Sequence, residues 1–208
     1  MAITFPRADI FTASQIKTSS FLLNYRQSFS RDGGGRSTVV DFREPYWQAS
    51  FVSAVISEDD CIELEAALMS LDGMARQFLV TDTRRPYPRR MVQGAITGVQ
   101  ITGVNFGRNL CSFAGLPPNA VLSQGDRFSF EFFGTHYLFA LAEGKVANGS
   151  GVAANVEIRP RMPGAITFPR DVTLSRPTCS MKLDPASVSF ASNGSLLGTV
   201  SFSAAQIL

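Results

Sequence analysis

Apolar and polar residues alternate with a period of two from Arg127 onward, and turn signals break the alternation into three runs. In the first, Phe128, Phe130 and Phe132 share one face, with Arg127, Ser129 and Glu131 on the other. After a Gly134 turn, Tyr137, Phe139 and Leu141 alternate with His136, Leu138 and Ala140. Asn148-Gly149-Ser150-Gly151 is a hairpin signal. The third run sets Val152, Ala154, Val156 and Ile158 against Ala153, Asn155, Glu157 and Arg159. Introduced by the Pro117-Pro118 turn and the tight Gln124-Gly125-Asp126 turn, this stretch predicts a compact antiparallel module, a small barrel or sandwich.

The same period predicts strands on either side of it. Ile16 to Phe29 alternates Phe21, Leu23 and Tyr25 with Ser20, Leu22 and Asn24. Arg31-Asp32-Gly33-Gly34-Gly35 predicts a hairpin turn and lacks the Lys-Ser/Thr of a phosphate-binding loop. Ser37 to Ile56 continues as strand, with Trp47 at a core position rather than a sugar-stacking one. Further strands are expected at Phe78–Val80, as two short runs within Met91–Leu110, at Val172–Leu183, at Val188–Phe190 and at Leu196–Phe202. Asn193-Gly194 predicts a turn, and Val200 and Phe202 face inward. Ala165–Arg170 repeats Ala2–Arg7 letter for letter, which suggests two equivalent edge segments.

One segment changes period. Ser57 with Asp60 resembles a capping box, and Glu58 and Asp59 suit a helix N-terminus. Cys61, Leu64, Leu68 and Leu71 then form a helical stripe that Gly73 terminates, so a helix over 58–72 should lie across a sheet.

Composition agrees with a β-rich globule: 17 Phe to fill sheet interiors, 17 Gly to make turns, 45% hydrophobic and 17% charged residues. A net charge of +2 is too small for a broad nucleic-acid surface. The one basic cluster is Arg84, Arg85, Arg89 and Arg90, in a connector (83–90) that two prolines stiffen. It reads as a solvated linker or as an arm that docks on an acidic neighbour, ahead of a nucleic-acid groove. Cys61, Cys111 and Cys179, an odd and widely spaced set, predict buried thiols rather than a disulfide framework or zinc site. Arg7 and Asp9 interrupt any signal-peptide core, and no apolar run has the ~20 residues of a membrane span.

Little points to catalysis. His136 is the only histidine, no Gly-x-Ser-x-Gly elbow is present, and no acid pair stands out as a glycosidase couple. We therefore expect no enzyme, no metal and no cofactor.

The order of these signals resembles a family of tailed-bacteriophage virion proteins. Trp47 and Phe51 precede a helix ending in Ser70-Leu71-Asp72-Gly73, followed by Phe78 and Thr81-Asp82. Then come Leu122-Ser123-Gln124-Gly125-Asp126-Arg127-Phe128, Glu157-Ile158-Arg159-Pro160, Val172-Thr173-Leu174 and Phe202-Ser203-Ala204. The chain is similar in this to siphophage distal-tail or minor tail proteins. The resemblance implies a mainly β fold: a β-sandwich with one flanking α-helix from 1–82 and 161–208, and an inserted OB-like barrel at 91–160. It also implies a non-enzymatic virion protein, made in the host cytoplasm, that forms a ring at the tail tip. A hexamer is favoured, and the expected partners are the tail tube, the hub or baseplate and the tape-measure protein. Two other readings stay open: a carbohydrate- or peptide-binding module using Trp47, Tyr87 or Tyr137, and a cell-wall hydrolase.

Overall fold

The structure, a computed structural model, describes residues 3–10, 15–91, 96–192 and 196–207. The Asn193-Gly194 turn, Ala2 of the repeat and Gly94 lie outside them.

The chain is mainly β, and its described residues form two six-stranded sheets, a two-stranded ribbon and one helix. The first sheet comprises β1 (Ile16–Arg31), β2 (Ser37–Ser53), β3 (Ile56–Ser57), β4 (Phe78–Thr81), β13 (Thr178–Ser192) and β14 (Leu197–Gln206). Its order is β1-β2-β14-β13-β4, with β3 pairing to the start of β14. Between β4 and β13 the chain forms the second unit: β5 (Gln100–Val104), β6 (Leu110–Ala114), β7 (Val121–Leu122), β8 (Arg127–Phe132), β9 (Thr135–Leu141), β10 (Lys145–Val146), β11 (Ala153–Arg159) and β12 (Arg170–Asp171). Six of these curl into a nearly closed barrel in the order β12-β5-β6-β11-β9-β8, and β7 pairs with β10.

Helix α1 (Glu58–Met69) forms where the side chains satisfy its free end. The Ser57 hydroxyl accepts the Asp60 amide, and Gly73 turns the chain away at a φ of 64°. It is shorter than expected, since residues 70–72 are turn. Leu64 and Leu68 of α1 and Leu71 beyond it are buried, and Cys61 packs beside them.

Two cores result. The sheet core holds Phe21, Trp47, Phe51, Phe78, Met181 and Phe202 beneath the helix. The barrel core holds Phe113, Phe128, Phe130, Phe139, Val156 and Ile158. Strand β9 belongs to both. Leu138 lies in the sheet core with Ala140 against it, while Phe139 and Leu141 point into the barrel. The barrel and helix together thus form the layer that covers the inner face of the sheet.

The structure corrects four strand expectations. Arg127 and Ser129 do not face solvent: β8 is buried on both sides from Arg127 to Phe130, because β13 and Thr173 cover its outer face, and only Glu131 of that face is exposed. In β11 a bulge carries Asn155 at a φ of 53°, so Ala153 points inward and Ala154 outward, the reverse of strict alternation. Val172 to Leu183 is not one strand. The chain leaves β12 at Asp171, loops, and re-enters at Thr178, after which β13 runs unbroken past Val188–Phe190 with an irregularity at 184–189. Finally, Met162 and Leu174 lie in the barrel core with Ile166 and Phe168 against them, so the barrel extends beyond residue 160. Both copies of the repeat have a cis Phe-Pro bond, and the arginine after each begins a β-pairing: Arg7 with Phe78, Arg170 with Ile101.

Candidate functional site

The four connector arginines do not act alike. Arg84 turns back to Asp82, whose Oδ1 accepts the Arg84 amide at 3.0 Å. Arg85 Nη1 donates to the Gly125 carbonyl at 3.0 Å, and Arg89 donates to the Gln124 carbonyl. The Arg89 amide also reaches Asp126 Oδ1, while Asp126 Oδ2 accepts the Ser123 amide at 2.8 Å. Two of the four, Arg85 and Arg89, thus fasten the connector to its own barrel through the tight 123–126 turn, and Arg84 ties it back to the end of β4. Arg90 is exposed and has no partner among the described residues. With Arg89 and Lys145 it lines a cleft of about 630 Å³ over that turn.

Beneath the connector is a group that sequence reasoning missed. Arg127, 3% exposed, places Nη1 2.9 Å from Oδ2 of Asp82, itself 1% exposed. Its guanidinium carbon lies 4.7 Å from the Trp47 ring centroid and 4.9 Å from that of Phe21. Burial pulls the Arg127 pKa down to about 10, against the opposing pull of Asp82. Trp47 is buried and donates Nε1–H to the Leu138 carbonyl at 2.7 Å, so it welds sheet to barrel and offers no face to a sugar.

His136 sits on β9 with Nδ1 2.8 Å from Thr178 Oγ1 and Nε2 3.9 Å from Glu131. The Thr178 amide and His136 amide in turn bond Ser129 and Ser180. These links stitch β8 and β9 to β13. The clefts at the connector and at the hairpin base are lined by other residues. Burial raises the thiol pKa values of Cys111 and Cys179, and it raises that of Cys61 with help from Asp60 and Glu58. Among the described residues no three His, Cys, Asp or Glu side chains gather as metal ligands, and no helix is long and apolar enough to cross a membrane.

A run of exposed apolar side chains follows the β1–β2 hairpin. Beyond the Asn24–Tyr46 pair the hairpin leaves the sheet core and runs on as two bare strands to the Asp32–Gly35 turn. Tyr25, Phe29, Val39, Val40 and Phe42 are all at least half exposed along it. Strand β1, 16 residues long, is also an edge of the sheet among the described residues. The sequence signalled this only as strand alternation around a hairpin turn. At the hairpin's base, Arg26, Arg43, Arg159 and Arg161 line a second cleft, of about 520 Å³, against the barrel. No protein-family model matches the chain, and no curated protein matches it.

Proposed function

We propose that this chain is a structural subunit of a phage tail tip, a ring-former of the distal-tail type placed between tail tube and hub. The observation that carries this reading is the hairpin. A two-stranded ribbon is marginal by itself, and a long bare edge is a template for pairing. Apolar side chains kept on such a ribbon call for a partner surface. Heterologous contacts that close by rotation cover every copy's arm and edge at once. The resemblance in the order of sequence signals points the same way, and it supplies the tube, hub and tape-measure protein as neighbours and the virion as location.

The test is the mass of the purified full chain, by light scattering and electron microscopy, alone and with its tube and hub proteins. A discrete cyclic oligomer is expected, a hexamer first. Replacing residues 27–41 with a two-residue turn should give a folded subunit that no longer assembles. A wild-type chain that stays monomeric and also ignores those partners overturns the proposal.

A further inference from the structure

Helix α1 has an unusual outer face. Glu58, Asp59, Asp60, Glu63 and Glu65 are all acidic, and no Lys or Arg occurs in the helix. Asp59 and Glu63 stand one turn apart as a like-charge pair, an arrangement that weakens a helix unless a cation meets it. Between and beyond them Ile62 and Met69 are exposed. This side of the helix is therefore an acidic stripe with two apolar knobs.

The cleft at the hairpin base has the opposite character. Arg26, Arg43 and Arg161 are exposed there, and Arg43 and Arg161 have no partner among the described residues. Its acids are engaged: Glu44 pairs with Arg108 at 2.7 Å, and Asp41 accepts from Gln27 at 2.6 Å. Arg159 is held by Glu157. Adjoining the cleft is an apolar hollow of about 130 Å³, lined by Pro45, Tyr137, Pro160 and Pro163 and sharing Glu44 and Arg161 with it.

The two surfaces cannot meet within one chain. Arg43 and Ser53 are ten residues apart along β2, roughly 30 Å, and α1 begins just past the far end. Strand β14 spans the same distance, with Gly198 against Cys61 of the helix and Gln206 at the hollow. Surfaces at opposite ends of one strand direction can meet only head to tail between copies, a contact that forms a ring when its rotation closes.

We infer that the acidic face of α1 in one copy docks in the arginine cleft of the next, with Ile62 directed to the proline-lined hollow. This rests on the ring reading and names its contact. Two full-length variants test it: Arg43→Glu/Arg161→Glu, and Asp59→Lys/Glu63→Lys, which spares the Ser57–Asp60 cap. All four positions are exposed, and circular dichroism checks the fold. Each variant alone should assemble at least about tenfold more weakly than wild type. An equimolar mixture should recover assembly with alternating copies, because each reversed surface then finds its complement. If wild type assembles and either variant does so equally well, this contact is wrong while the ring stands. Loss in both variants without recovery on mixing also overturns it, since the two surfaces then do not face each other. Arg90→Glu/Lys145→Glu should assemble normally; if it alone fails, the contact belongs to the connector cleft instead. A wild-type chain that never assembles, with or without tube and hub proteins, defeats the ring reading itself.

Discussion

Arg127 shows how one side chain can hold two units together. Its charge is buried against Asp82 and flanked by Trp47 and Phe21, at the seam between sheet and barrel. Removing one member of such a pair strands the other in a dry site. Arg127→Ala should therefore cost about 3–5 kcal/mol in urea unfolding. The double replacement Arg127→Met/Asp82→Leu should cost less than that single change, because no lone charge remains. Alternation alone assigned Arg127 to solvent, and nothing nearby in sequence says otherwise. Its acid is forty-five positions earlier, and its cover comes from strands that meet only on folding. The connector arginines illustrate the same limit: the cluster was plain to see, but its targets at 124–126 were not.

At the level of elements, legibility follows how local the determining forces are. The helix start was readable because Ser57 and Asp60 bond across one turn. The Asp32–Gly35 hairpin was readable for the same reason, with the Asp32 side chain accepting the Gly34 and Arg36 amides. The phase slip in β11 was not, because it depends on how the strand meets β6. The turn at 148–151 gives a sharp test. A Cβ on Gly151 would sit 2.1 Å from the Leu116 carbonyl oxygen at a φ of 73°, whereas one on Gly149 meets nothing within 4 Å. Gly151→Ala should destabilise the protein by about 2 kcal/mol or more, and Gly149→Ala by no more than about 0.5 kcal/mol, in thermal or urea melts.

For the whole molecule, the decisive element is β9, a wall shared by two cores. Neither unit can lose its packing without exposing apolar side chains of the other. Heating should give one transition, with calorimetric and van't Hoff enthalpies equal, rather than separate melts of sheet and barrel. Two resolved transitions would show that the seam contributes little. The fold class was legible from the period of two and the single helical stripe. The seam was not, because a strand that is apolar on both sides looks the same whether it has one buried neighbour or two. The exposure of the hairpin was likewise not legible, since alternation reports a face to be covered and not which molecule covers it.

A shared wall has a mechanical meaning too. Swinging the barrel away from the sheet would have to pull Leu138 out from under Trp47 or Phe139 away from Phe128. The packing at β9 therefore resists a hinge between sheet and barrel, so that a push on one unit is carried into the other, as through a keyed masonry block.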